Sequence, residues 1–256
     1  VGKIKRSLFR TFLNTGTEAV PVWSLIGDGV TTGAIQYNPK TTEETYIHED
    51  SATISVDSYA PNMPVEAIAV SGDAVFEAID TLRKARSVLS SAEGEVVNVW
   101  MYQASIGGFY PAERQDVSLQ IDEFGGDGGS AAKLNFTVNF VGEPTPGRYN
   151  PTTGVFSELN APAANTLTTL VLGSGTLAPL FATDESNLFY TTSIAAATVT
   201  VESTLATADS IVQKCNGDVV NQGAAASLNL GENTISIEVT EGAVTTIYYI
   251  KATRTS

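Results

Sequence analysis

Val117-Ser118-Leu119-Gln120-Ile121-Asp122 alternates apolar and polar residues, and Leu134-Asn135-Phe136-Thr137-Val138-Asn139-Phe140 repeats the pattern. A period of two puts every second side chain on the same face of a strand. Between the two runs lies Gly125-Gly126-Asp127-Gly128-Gly129, a turn segment whose glycines accept positive φ without steric cost. The three pieces predict a β-hairpin with one face on a core and one polar face. Ser118, Gln120, Asp122, Asn135, Thr137 and Asn139 make up that polar face, which carries amides, hydroxyls and acids. Lys133, where the second strand starts, is the basic residue nearest to it.

Upstream, Thr53-Ile54-Ser55-Val56-Asp57 alternates as well. It follows a polar, acidic stretch containing Glu43, Glu44, His48, Glu49 and Asp50. This segment is expected to stand out as an arm or long hairpin. One helix is predicted: Asp73 can cap it, and Val75, Phe76, Ile79, Leu82, Ala85 and Leu89 recur at helical spacing up to an exit at Gly94. Asp80 can pair with Lys84 four residues on. A single apolar stripe of this kind needs one surface to lie on.

The pattern stops over residues 157–166, which read as a linker. Beyond it come short strands at Thr198–Val201, Ala225–Leu230, Thr234–Val239 and Thr246–Ile250, with turns at Asn216-Gly217, Gly223, Gly231-Glu232-Asn233 and Glu241-Gly242. Regular short strands without a helix argue for a sandwich of immunoglobulin-like build. The expected organisation is a first domain over 1–156, the linker, and a β-sandwich over 167–256. The fold class is all-β with one flanking α-helix.

Composition narrows the function. The 256 residues carry 14 basic and 28 acidic side chains, a net charge of −14, and charged residues are only 16% of the chain. Residues 1–165 hold 11 basic against 20 acidic groups, and the remainder holds 3 against 8. Affinity for a phosphate backbone comes from Lys and Arg displacing counterions, so tight nucleic-acid binding is not expected. Thr occurs 31 times and Gly 22 times, giving a hydroxyl-rich, turn-rich surface. One cysteine, Cys215, excludes an internal disulfide, and one histidine, His48, excludes a multi-histidine metal site. No apolar run approaches the roughly 20 residues of a membrane span. The apolar stretch after the basic residues Lys3, Lys5, Arg6 and Arg10 is broken by Asn14-Thr15-Gly16, so no signal-peptide core is read there. The expectation is a chain made in a cytoplasm and not inserted in a membrane.

Several sharper readings fail on spacing. The acidic arm matches no calcium-loop pattern. The Gly/Asp turn joins two strands and lacks the lysine of a phosphate loop. His48 has no nucleophile or second base placed with it, so no enzymatic activity and no cofactor are expected.

The first 150 residues resemble the tail tube (major tail) proteins of long-tailed bacteriophages. The likeness rests on Tyr37-Asn38-Pro39-Lys40-Thr41, Tyr59-Ala60-Pro61, Gly72-Asp73-Ala74-Val75-Phe76 with Leu82-Arg83-Lys84, Ala112-Glu113-Arg114-Gln115-Asp116-Val117-Ser118-Leu119-Gln120-Ile121, and Phe124 through Gly129. The C-terminal part resembles the cadherin-like β-sandwich appended to many phage and bacterial surface proteins. That likeness rests on Gly175-Thr176-Leu177-Ala178-Pro179, Leu228-Asn229-Leu230-Gly231-Glu232-Asn233-Thr234-Ile235, Tyr190, Tyr248 and Arg254. Cys215 and Glu241-Gly242-Ala243 depart from its usual pattern, and the Asp/Asn clusters with which true cadherins hold calcium are absent.

The resemblance implies a structural virion protein whose tube domain is a β-sandwich or barrel-forming fold. Its subunits close into rings, commonly hexameric, and the rings stack into a hollow tail tube. The partners implied are other copies of the chain and further tail proteins (tape measure, tail terminator, distal tail). Double-stranded DNA is a cargo that passes without binding. On this expectation Ser118, Gln120, Asp122, Asn135, Thr137 and Asn139 face the lumen. Lys3, Lys5, Arg6, Arg10, Glu43, Glu44, Glu49, Asp50 and Asp57 belong to arms between rings. For the C-terminal decoration two readings stay open: weak multivalent contact with host-surface glycans, or a spacer without a ligand. A rival for the whole chain is a bacterial or phage surface adhesin or layer protein built from two β-domains.

Overall fold

The computed structural model describes residues 2–48, 50–159, 167–182, 187–205, 210–241 and 244–256. The chain is all-β with one flanking helix, and it divides into two compact units. One unit comprises residues 5–98 and 113–145; the other comprises 1–4, 99–112 and 146–256.

The N-terminal strands are β1 (Phe9–Asn14), β2 (Trp23–Leu25), β3 (Val30–Gly33), β4 (Pro39–Glu44), β5 (Thr53–Tyr59), β6 (Asn62–Ala67), β7 (Glu93–Trp100), β8 (Tyr110–Gly125) and β9 (Lys133–Asn150), with helix α1 at Ala74–Ala85 between β6 and β7. Seven of these strands form one sheet in the order β2-β1-β7-β8-β9-β6-β3, and β10 (Val155–Glu158) pairs antiparallel with the end of β9. The cuts between the two units fall inside β7, β8 and β9. Ser157 and Glu158, the first residues of the expected linker, therefore lie in a strand, and residues 160–166 lie outside the described residues.

The predicted hairpin is β8 and β9. Val117, Leu119, Leu134, Phe136 and Val138 are buried in a core with Met63 and Val65 of β6, Val96 of β7, and Val75 and Ile79 of α1. The helix thus lies on the apolar face, as its single stripe requires. Asp73 caps it: its Oδ2 accepts from the N–H groups of Val75 (2.9 Å) and Phe76 (3.4 Å), two donors that helical geometry leaves unpaired. The helix ends earlier than its apolar periodicity suggested. Arg86 adopts a left-handed conformation (φ 52°) and stops it after Ala85. Leu89 is 85% exposed in a short 3-10 turn, so it is no part of the stripe.

Asp80, whose spacing allows a pair with Lys84, is buried. Lys84 Nζ lies 2.6 Å from its Oδ2 and Arg83 Nη2 lies 2.7 Å from its Oδ1. Arg83 also stacks over Phe124 at 3.8 Å. In the same unit a polar chain runs from Thr11 Oγ1 to Asn98 Oδ1 (2.8 Å), both buried, and from Asn98 Nδ2 to Oε1 of the half-buried Glu113 (3.4 Å).

The C-terminal strands are β11 (Leu167–Leu172), β12 (Phe189–Ile194), β13 (Thr198–Leu205), β14 (Ser210–Cys215), β15 (Asp218–Val220), β16 (Ala225–Ser227), β17 (Gly231–Glu241) and β18 (Val244–Arg254). They form a three-stranded sheet, β11-β13-β16, and a five-stranded sheet, β12-β18-β17-β14-β15. Leu170, Val199 and Val201 of the first and Tyr190, Ile235, Ile237 and Ile250 of the second share one core, which makes the unit a sandwich. Asn216 and Gly217 both have positive φ (51° and 94°) in the two-residue connection from β14 to β15, the geometry that suits a tight hairpin.

Gly231-Glu232-Asn233, expected as a turn, opens β17 instead. Asn233 is 2% exposed. Its Nδ2 donates to the carbonyls of Asn229 (2.8 Å) and Gly231 (3.1 Å), while its Oδ1 accepts from Asn229 N (2.8 Å) and Asn216 Nδ2 (2.9 Å). The side chain does the work of a turn while the backbone stays in the strand. Cys215 is buried, with burial pushing its thiol up, and its Sγ–H points to the Ser227 carbonyl at 3.6 Å.

Two acids give this fold opposite responses to pH. Hydrogen bonds from Lys84 and then Arg83 hold Asp80 below its ordinary 3.8. Its stabilising effect is complete above about pH 4 and fades as pH falls through the folded value. Burial pushes Glu113 above its ordinary 4.5, only partly offset by Asn98, so its ionisation costs stability as pH rises through the folded value. Asp80→Asn should lower the melting temperature at pH 7 and converge on the parent in acid. Glu113→Gln should raise it at pH 7 and likewise converge in acid. Thermal melts across pH check both signs. In the sandwich, Asn233→Ala strands several buried backbone groups and should cost about 2–4 kcal/mol in chemical denaturation.

Candidate functional site

The proposed lumen residues all lie on the β8–β9 hairpin, and side-chain hydrogen bonds join three of them, Gln120, Asp122 and Thr137. Gln120 Nε2 donates to Asp122 Oδ1 (2.6 Å), and Thr137 Oγ1 donates across the strands to Asp122 Oδ2 (2.6 Å). Asn139 Nδ2 reaches the Ser118 carbonyl (3.4 Å). Asn135 donates to Glu123 Oε2 (2.8 Å) and accepts from the Ala67 N–H (3.2 Å). Gln120 and Asp122 are exposed, Ser118, Asn135 and Asn139 are half-buried, and Thr137 is buried at 8% exposure. Thr137 is thus covered by its neighbours rather than presented to a lumen.

Glu123 was not counted on this face, yet it bonds Asn135, while Phe124 lies under Arg83 of the helix. Strict alternation along β8 therefore ends at Asp122. The face extends onto β6, where Asn62 pairs with Asn139 and Pro64 with Thr137. In the side-chain bonds of Gln120, Thr137 and Asn135 the donors are amides and a hydroxyl, and the acceptors are the carboxylates of Asp122 and Glu123.

The arm is β4 and β5. They pair only with each other, as an antiparallel ribbon, and every residue of both strands is exposed. Glu43 and Glu44 lie on β4, Asp57 on β5, and Asp50 in the connection; Glu49 lies outside the described residues. Asp57 is the extra residue of a bulge opposite Lys40 and Thr41, and it accepts hydrogen bonds from Thr42 Oγ1 and from Ser55 Oγ (3.2 Å). Tyr46 OH donates to Glu44 Oε2 (3.1 Å), and its ring stacks on His48.

The register places Ile54 opposite Glu43 and Val56 opposite Thr41. One side of the ribbon therefore presents Ile54 (66% exposed) and Val56 (52%), and Tyr59 (60%) stands at its base. The ribbon leaves the sheet where Asn38, in a left-handed conformation, donates from Nδ2 to the Ala60 carbonyl and to Asn62 Oδ1, each at 3.1 Å.

The basic N-terminal residues divide. Arg6 is held by its own surroundings: Nη1 donates to the Phe9 carbonyl (2.5 Å), Nη2 to the Gly33 carbonyl (2.8 Å), and the guanidinium lies over the Phe9 ring. Arg10 Nε donates to the Ser7 carbonyl (3.3 Å). Lys3 and Lys5 are exposed and have no ion-pair partner among the described residues. Among the described residues no group of three acidic, histidine or cysteine side chains is placed to hold a metal ion. No described helix is long and apolar enough to cross a membrane.

A feature that sequence reading missed lies in the C-terminal unit. Arg148 of β9 stacks over Phe189, and Phe109, Phe189 and Tyr249 pack ring against ring at 5.2–5.7 Å. The sequence signal for it is an arginine near the far end of a strand that has two other charged residues, Lys133 and Glu143.

No family model and no curated protein matches the chain.

Among the described elements, an isolated and fully exposed ribbon has little protection from a protease. Limited digestion of the unassembled chain with a glutamate-specific protease should cut first at Glu43 and Glu44. A first cut elsewhere, read by mass spectrometry, would show that something else holds the arm.

Proposed function

We propose that this chain is a structural subunit of a phage tail tube: it polymerises with copies of itself into stacked rings that enclose a passage for DNA. The observation that carries the reading is the β4–β5 ribbon, exposed on every residue and presenting Ile54 and Val56 beside Thr41 and Glu43 on one side. A two-stranded ribbon is marginal in water by itself. Exposed apolar residues rimmed by charge mark a surface that another molecule covers. A second copy of the same chain, in the neighbouring ring, is the partner proposed.

The face around Gln120, Asp122 and Asn139 supports the conducting role. A DNA conduit needs a wall that offers the backbone no Lys or Arg to release counterions, and carboxylates there repel it. Asp122, with the Gln120 amide and the Thr137 hydroxyl bonded to it, supports this reading, and Gln120 and Asn139 are accessible beside it. No catalytic step is part of this function. The C-terminal sandwich is read as a module that tails carry in many copies, where avidity makes weak contacts with host-surface glycans effective.

Electron microscopy of the purified chain tests the assembly. Rings or hollow tubes are expected; monomers at every concentration, or flat sheets of the kind a surface-layer protein forms, would overturn the reading. Ile54→Glu combined with Val56→Glu should leave the fold intact by circular dichroism yet abolish stacking, and assembly of the parent should protect Glu43 and Glu44 from the protease. Gln120→Lys with Asn139→Lys should make tubes retain DNA at low salt and release it as salt rises.

A further inference from the structure

The C-terminal unit holds a cavity of about 390 Å³ lined by Arg148, Thr192 and Lys251 among others. That volume lies within the roughly 300–1,000 Å³ range of small-molecule sites. Its two cations differ. Lys251 Nζ is already paired with Glu232 Oε1 at 2.5 Å. Arg148 has no carboxylate partner among the described residues: its Nη1 reaches only the Phe109 carbonyl (3.4 Å), its Nε is buried without a partner, and its guanidinium lies over the Phe189 ring at 5.1 Å. Burial pushes its pKa below the ordinary value of 12.5. A half-buried, unpaired guanidinium is costly, and a carboxylate is the group whose geometry matches its fork.

The rest of the lining indicates what carries the carboxylate. Thr191 lines it, with its Oγ1 donating to the Ala178 carbonyl (3.1 Å), and Thr192 lines it from a buried position. Thr176, Ser193 and Thr253 add hydroxyl groups, while Ile106 and Ala178 add apolar surface. Neutral hydroxyls beside a small apolar patch suit a sugar ring, with its hydroxyl edges and C–H faces. No helix terminus contributes, and with Lys251 neutralised only one positive charge remains for a ligand, which fits one carboxylate better than a phosphate dianion.

We infer that this cavity is a binding site for an acidic sugar of the hexuronic type, its carboxylate on Arg148 and its ring hydroxyls on the threonine-rich wall. The inference deepens the glycan contact proposed for the C-terminal module and does not depend on tube assembly, because a chain that never polymerises can still bind the sugar.

Titration calorimetry on the unassembled full chain tests it, with sodium glucuronate, glucose and sodium acetate as probes. Glucuronate should bind saturably, and glucose and acetate each at least about tenfold more weakly. Arg148→Gln should erase the preference for glucuronate over glucose. Thr176→Trp, at an exposed position on the rim, should block the cavity and abolish binding without touching the core, so the test survives if the arginine variant fails to fold. Absence of saturable glucuronate binding, equal binding of glucose, or binding unaffected by Thr176→Trp would overturn the site. Acetate binding as tightly as glucuronate would overturn the sugar assignment.

Discussion

A sheet that buries only one face has to solve two problems at once, and in β8 and β9 both are settled by the same alternation of side chains. Val117, Leu119, Leu134, Phe136 and Val138 turn toward α1 and close the core. The intervening residues must remain polar, and they bond to one another across the strands, as Thr137 and Asp122 do at 2.6 Å. Shifting the register by one residue would put every polar group in the core and every apolar one in water. The helix is held to this face by Val75 and Ile79, which share that core, while the Asp73 cap and the pairs of Asp80 with Lys84 and Arg83 stabilise the helix itself.

The C-terminal sandwich uses a different device. Its core is conventional, but buried polar side chains tie the sheets where backbone partners run out. Asn233 binds the approach to β17, and Gln213 Nε2 donates to the Val201 carbonyl (3.2 Å) and to Ser203 Oγ (3.1 Å), crossing from the five-stranded sheet to the three-stranded one. Such groups stabilise only while fully satisfied.

The all-β class, the single helix, the β8–β9 hairpin and the exposed arm were legible because each has a strong period or a strong contrast in composition. Residue-level burial was less so. Asp80 looked like a surface charge because spacing shows that Lys84 can reach it, not that the helix rim encloses it. Leu89 fitted a helical period that the left-handed Arg86 interrupts, and no residue type there announces that stop. Gly231-Glu232-Asn233 carries a turn composition because Asn233 makes turn-like bonds from within a strand. Strands β11, β12 and β14 lack clean alternation and went unread, and the cavity at Arg148 joins residues more than a hundred positions apart, a proximity that only the fold creates.

The bulge in the arm has a consequence for what the chain avoids. A ribbon of two strands has two open edges, each a template on which further strands can add without limit, the route to fibrils. At Lys40 and Thr41 the extra residue Asp57 breaks the ladder, and a bulge raises the local twist. Glu43 and Glu44 add charge along one of those edges. The ribbon can therefore leave Ile54 and Val56 exposed while its backbone edges resist indiscriminate strand addition. Resistance to open-ended strand addition is thus written into one inserted residue.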